Sequence, residues 1–297
     1  MYPEAFEYFS PETLEGAIEL LSQYGEEAKV LAGGQSLIPL MKLRLASPKY
    51  LIYLGKIQGL STIQEQDGMI SFGALTSHAE IEESRLVQSK LSIMHDAVSV
   101  IGDVQIRNMG TIGGSVAHAD PAGDMLAVLF ALDARVNTLS SKGKRTLKVD
   151  ELIVDAYSAD LAADEVLTEV LVPVPQEGSG GAYVKFERRA GDFAVASVGV
   201  QVSLKKDGTC QDIAIGLGAV GLTAIRARKA EALLRGKQVE DDLVKAAAVE
   251  ASAEADPFAD IRGAIDYKRH LVGVLLKRAF EIASRRARGE EVKTAHF

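Results

Sequence analysis

Apolar positions along the chain switch several times between helical spacing and short strand-like runs. Leu14, Ala17, Ile18 and Leu21 share one helical face, which predicts a first helix with Ser10 as its cap, Pro11 at its first position, Glu12 in its first turn and Gly25 as its stop. Residues 29–31 then read as a short buried strand, followed by a glycine loop at 32–36, a helical stretch at 37–45 and a second strand at 50–54. This is a small α/β unit. A second region carries a strand at 69–73, a short helix capped by Thr76, and a helix at 91–101 with Leu91, Met94, Val98 and Ile101 aligned. It continues with an apolar helix opened by Asp120 and Pro121, a hairpin at 135–149 turning at Lys142 and Gly143, and a strand at 166–172.

The proline- and glycine-rich run 175–181 is the linker candidate. Beyond it, strands at 198–204 and 210–216 flank an Asp207-Gly208 turn, and three helices follow at 227–234, 239–251 and 267–285. The expected organisation is therefore α+β in three parts: 1–57, 58–176 and 177–297.

Composition narrows the function classes. With a net charge of -8, no basic surface points to nucleic acid. No run of about 20 apolar residues reads as a membrane span, and the start of the chain does not read as a signal peptide, so the expected compartment is the cytoplasm. Cys210 is the only cysteine, which excludes an internal disulfide or an iron–sulfur cluster ligated by this chain's thiols alone. The histidines at 78, 95, 118, 270 and 296 form no short metal-ligand spacing, so no metal site is expected. A redox role would need an organic carrier here, or metals on a partner.

Two glycine segments are the best site candidates. Ala32, Gly33, Gly34, Gln35 and Ser36 directly follow a strand, where glycine permits close approach and exposed N–H groups can cradle phosphate. The second runs from Asn108 through Thr111, Ile112, Gly113, Gly114 and Ser115, with Asp124 soon after as a candidate acceptor for ribose or amide groups. Each can equally be a tight turn needed only for packing. A third group, Lys185, Arg188, Arg189 and Asp192, reads as a charged strand edge or as charges beside a ligand. Tyr183, Phe186 and Phe193 suit either core packing or a cofactor face, and His118 lies close to the second segment. The arginines at 278 and 285–288 read as a solvated helix surface or a partner contact.

The strings AGGQSLIPLMKLRLASP and IRNMGTIGGSVAHADPAGD resemble the flavoprotein subunits of carbon monoxide dehydrogenase and related molybdenum hydroxylases, including the flavin domain of xanthine dehydrogenase. The likeness continues, in order, through YVKFERRAGDFAVASVGV, GLGAVGLTAIRARKAEALLRG and DIRGAIDYKRHLVGVLLKRA. It implies a two-subdomain FAD-binding fold of the vanillyl-alcohol oxidase type plus a C-terminal domain of antiparallel sheet and helices. The resemblance places 32–36 and 111–115 on opposite sides of the FAD pyrophosphate, Asp124 near its polar region, and Lys185 and Asp192 near the flavin ring as tuning charges. Gln35 and Ser115 stand where the family commonly has His and Asn; the shorter serine side chain suggests a water-mediated contact.

No residue of this chain is then expected to be catalytic in substrate oxidation. The implied partners are a large subunit with a molybdenum-pterin cofactor, a small subunit with two 2Fe-2S clusters, and an external acceptor such as quinone or NAD. The implied assembly is a dimer of heterotrimers, peripheral at most to the inner face of the membrane. The competing functions are a stand-alone FAD-dependent oxidoreductase and a non-catalytic flavin-binding or assembly protein.

Overall fold

The computed structural model describes residues 2–294, so His296 lies outside the described residues. The chain opens with β1 (Glu7–Phe9), α1 (Leu14–Tyr24), β2 (Ala28–Leu31), α2 (Leu37–Lys42) and β3 (Tyr50–Tyr53). These strands form a parallel sheet in the order β1-β3-β2. The apolar face of α1 (Ala17, Ile18, Leu21) closes over this sheet with Ile52 and Leu54. Its cap is Thr13, whose hydroxyl accepts from the Gly16 N–H at 3.1 Å; Ser10 does not cap it. β1 has no apolar alternation, because it is an edge strand recruited by backbone pairing with β3.

The middle region contains β4 (Ile63–Gln66), β5 (Met69–Gly73), α3 (His78–Glu83), α4 (Arg85–Lys90), α5 (Ser92–Val98), α6 (Val104–Met109), α7 (Ile112–His118) and α8 (Asp124–Ala131). It closes with β6 (Arg135–Ser140), β7 (Gly143–Lys148), α9 (Val149–Leu152), β8 (Ile153–Asp155), β9 (Ser158–Ala159) and β10 (Val166–Pro173). The main sheet is antiparallel, ordered β4-β5-β10-β6-β7. Ser77, not Thr76, caps α3, through a reciprocal box in which Glu80 receives the Ser77 N–H. Thr76 is instead buried, its hydroxyl donating to the Thr62 carbonyl. The helix expected at 91–101 is shorter, because Ser99 and Ile101 leave it in a turn. The helix expected from Asp120 begins at Asp124, after a turn in which the Asp120 carboxylate accepts the Ala122 N–H.

The last region consists of β11 (Ser179–Phe186), β12 (Ala196–Leu204), β13 (Cys210–Gly218), β14 (Ile225–Arg226), α10 (Arg228–Leu234), α11 (Asp241–Glu254) and α12 (Ile265–Ala287). The strands form an antiparallel sheet in chain order, with α12 packed on β11 and β12. Ser179, Gly180 and Gly181 belong to β11, so only part of the expected linker is a connection. Gly180 is required there: a Cβ would lie 2.2 Å from the Ala283 carbonyl oxygen of α12. Three apolar cores follow one another along the chain, and the first two each borrow from a neighbour. Val166 enters the first core, while Tyr183 and Ala224 enter the middle one. Among the described residues no helix is long and apolar enough to cross a membrane.

Candidate functional site

The first glycine segment leaves β2 at the edge of the parallel sheet and ends as α2 begins. Gly34 has φ +73°, a conformation that favours glycine. Gly33 is fixed by a neighbour instead: an added Cβ would lie 1.8 Å from the Met109 carbonyl oxygen. The two glycine segments are thus in direct contact. Among the described residues, the N–H groups of Gly33, Gly34, Gln35 and Ser36 donate to no backbone acceptor, and Gln35 and Ser36 are exposed. A row of free amides beside a hydroxyl suits phosphate oxygens.

The second segment is not a loop. Thr111 caps α7, accepting the Gly114 N–H at 3.1 Å, and Ile112 to Ser115 form its first turn. The Ile112 N–H donates to Thr76 O and the Gly113 N–H to Ala74 O. Gly113 packs so closely that a Cβ would lie 2.6 Å from that of Ala74. Ile112 and Gly113 are buried, whereas Gly114 and Ser115 are half-buried. The amides of Ile112, Gly113, Gly114 and Ser115 are engaged within the protein, which leaves the Thr111 amide, side chains and shape as what this segment offers a ligand. Ser115 Oγ lies 3.1 Å from Nε2 of His78. Burial first, and then Arg107, lower the His78 pKa to about 4.

A cleft of about 460 Å³ lies where these segments meet. That volume falls within the ~300–1,000 Å³ typical of small-molecule and cofactor sites. Ala32, Gly33 and Thr111 line it, joined by Tyr53, Gln58, Ser61, Glu80 and Asn108. Burial would raise the Glu80 carboxyl, but donors from Ser77 and Ser61 outweigh it and hold the group below its ordinary value. Gln58, Ser61 and Glu80 lack any glycine signal, and only the fold brings them to the cleft.

Asp124 and Lys185 do not line this cleft; they meet in a buried ionic cluster. Asp124 is the first residue of α8, and it accepts from the Tyr183 hydroxyl at 2.6 Å and lies 3.3 Å from Lys185 Nζ. Lys185 also donates to the Val100 carbonyl at 3.1 Å and pairs with Glu187 at 3.1 Å. Its side chain is 2% exposed, so the strand-edge surface reading does not hold for it. Burial raises the Asp124 carboxyl against the pull of Lys185 and Tyr183, and burial beside Asp124 pushes the Tyr183 phenol well up.

The rest of that charged group disperses. Arg188 donates to the Ile261 carbonyl, and the partly exposed Asp192 lies 3.8 Å from Arg262. Phe193 is exposed beneath the Arg262 guanidinium, while Phe186 packs edge-on to Tyr267. His118, half-buried against Tyr157, has its pKa lowered by burial despite Asp120. Arg286 is not solvated: it forms a two-pronged pair with Asp96 at 2.6 and 3.1 Å and donates to the Gly181 carbonyl. Cys210 is buried, and burial pushes its thiol up to about 11.

Residues 4–175 match the family described as the FAD binding domain in molybdopterin dehydrogenase, and residues 181–283 match the CO dehydrogenase flavoprotein C-terminal domain. The chain belongs to the FAD-binding medium subunits of the molybdenum hydroxylases. This medium subunit is 36% identical over its whole length to the alpha subunit of the 6-hydroxypseudooxynicotine dehydrogenase complex of Paenarthrobacter nicotinovorans, covering 100% of both chains. It is 40% identical to the glyceraldehyde dehydrogenase medium chain of Sulfolobus acidocaldarius, over 95% of this chain and 99% of the relative. The structure of carbon monoxide dehydrogenase from Hydrogenophaga pseudoflava superposes with a TM-score of 0.94 at 40% identity, covering 96% of this chain and 99% of that one. The medium subunit is therefore an FAD-binding flavoprotein component of a molybdenum-dependent oxidoreductase, with the fold of its family. The free amides and hydroxyl of 33–36 fit the pyrophosphate of that cofactor.

Proposed function

We propose that this subunit takes electrons singly from a 2Fe-2S cluster on a small partner and passes them in pairs to quinone, NAD or another acceptor. Substrate oxidation then belongs to a large partner with a molybdenum-pterin cofactor, in a complex built as a dimer of heterotrimers. FAD supplies the junction between one-electron and two-electron chemistry when bound. The carrying observation is the asymmetry of the two glycine segments at one cleft. Ala32, Gly33 and Thr111 line the cleft itself, and beside it amides 33–36 are available to phosphate, whereas the second segment offers the half-buried Ser115 hydroxyl and a tightly packed wall. Lys185 and Asp192 are the charges taken to tune the flavin ring, the more exposed Asp192 being the weaker contributor. Asp124, expected near the cofactor's polar region, joins them in this reading because it is held against Lys185 as a buried pair. The relatives' names give different substrates, 6-hydroxypseudooxynicotine, glyceraldehyde and carbon monoxide, while this chain matches all three over at least 95% of its length. That supports a substrate pocket on another subunit.

The test is stopped-flow spectroscopy on the complete and the flavin-depleted complex. Depletion should slow turnover with the physiological acceptor but leave substrate-driven reduction of the partner centres intact. Clusters that cannot be reduced without FAD would overturn the proposed order of electron flow.

A further inference from the structure

His78 braces the second glycine segment at both ends. Its backbone N–H donates to the Gly110 carbonyl at 2.9 Å, just before the Thr111 cap. Its ring passes beneath Gly110, where an added Cβ would lie 3.0 Å from Cδ2, and reaches Ser115 Oγ in the first turn of α7. The side chain is buried, and Nδ1 has no partner among the described residues.

That orphaned atom fixes the direction of the hydrogen bond. A pKa of about 4 leaves the ring neutral at physiological pH, so only one nitrogen carries hydrogen. If Nδ1 carried it, a buried N–H would have no acceptor, which proteins rarely tolerate. If Nε2 carries it, the group left over is a bare lone pair, and the Nε2–H donates to Ser115 Oγ. With its oxygen accepting from His78, the Ser115 hydroxyl keeps its own hydrogen for a different acceptor. Ser115 is half-buried and no protein acceptor takes that hydrogen among the described residues.

We propose that His78 is a positioning residue that orients the Ser115 hydroxyl as a donor to an oxygen of the bound dinucleotide. The inference rests on the placement of residues 111–115 against FAD given under the proposed function. It assigns a specific task to a buried histidine that no part of electron transfer otherwise uses. The Ser115 hydroxyl then offers a hydrogen, directly or through a water, at the position where the family commonly has an amide.

The experiment is a double-mutant cycle on the full chain in its native assembly. FAD is removed and its dissociation constant is read by flavin fluorescence as it rebinds. His78→Phe keeps the ring volume without the donor and should weaken FAD about tenfold, the upper range for one neutral hydrogen bond. Ser115→Ala should cost about the same, and the double variant no more than either single one. His78→Gln, whose side-chain N–H can substitute for Nε2–H, should return affinity to within about threefold of wild type. The thermal midpoint of the flavin-free assembly reports any damage to the fold separately. Additive losses, a Gln variant as weak as the Phe variant, or normal binding by His78→Phe would each overturn this inference alone. Normal binding by Ser115→Ala would instead take residues 111–115 off the flavin, overturning the placement and this inference with it.

Discussion

Replacing Lys185 with Met should destabilise the protein in a way that depends on pH, and the buried cluster sets both size and sign. Lys185 Nζ faces two carboxylates, Asp124 at 3.3 Å and Glu187 at 3.1 Å, and both are largely shielded from water. The variant leaves the Val100 carbonyl without this donor, a pH-independent cost of roughly 1–3 kcal/mol. It also leaves Asp124 with burial pushing its carboxyl up and without Lys185 pulling it down. A folded-state value above the unfolded ~3.9 means that the folded chain holds the proton longer, so stability falls as pH rises through that window. The slope for one carboxylate is at most about 1.4 kcal/mol per pH unit, and the total approaches roughly 3–5 kcal/mol once Asp124 ionises unpaired. Denaturant unfolding of the flavin-free chain at pH 5 and pH 8 measures this directly. The loss relative to wild type should be clearly larger at pH 8, and Lys185→Met/Asp124→Asn should remove most of that difference. An equal loss at both pH values would show that Lys185 acts by packing alone.

Arg286→Met should lower the melting temperature by roughly 6–15 °C, because it strands the buried Asp96 carboxylate between α5 and α12. Thermal unfolding reads this, and a shift of only a degree or two would mean that the pair contributes little. Gly33→Ala should reduce both flavin content and thermal stability, since its Cβ cannot fit against Met109; Ser36→Ala should reduce flavin content alone. Redox titration of the bound flavin should show a lower potential in Lys185→Met and a higher one in Asp124→Asn, with a smaller rise in the more exposed Asp192→Asn.

The legible parts of the fold were those with strong local rules. The Asp207-Gly208 hairpin, the strand at β5 and the long amphipathic α12 follow from turn chemistry and apolar spacing. β1 was invisible because an edge strand with exposed residues carries no alternation, and only its pairing with β3 defines it. The segment 111–115 read as a loop because two adjacent glycines weaken helix propensity, a deficit overridden by the Thr111 cap and by packing on Ala74. In the site, Lys185 was grouped with Arg188 and Asp192 by nearness in the chain. The strand period of two instead aligns Tyr183, Lys185 and Glu187, and Asp124 joins them from 59 residues away from Tyr183. That period was readable; the long-range partner was not. His78 had no local signal at all, since Ser115 lies 37 residues downstream.

The two family segments part at residues 175 and 181, but the packing does not part there. Every residue of α8 is buried, and the helix lies on a strip of the C-terminal sheet where a Cβ at Gly216 would sit 1.9 Å from the Ala127 carbonyl oxygen. Gly199 and Gly218 widen the same groove. The helix that begins with Asp124 is therefore seated by residues belonging to the other segment. Chimeras that join the front of one relative to the back of another at residue 178 would inherit a mismatched seat, shifting Asp124 relative to Lys185. A working exchange would have to carry α8 and its glycine groove together, so the heritable module of this protein is a helix with its sheet, cut across the boundary that sequence comparison draws.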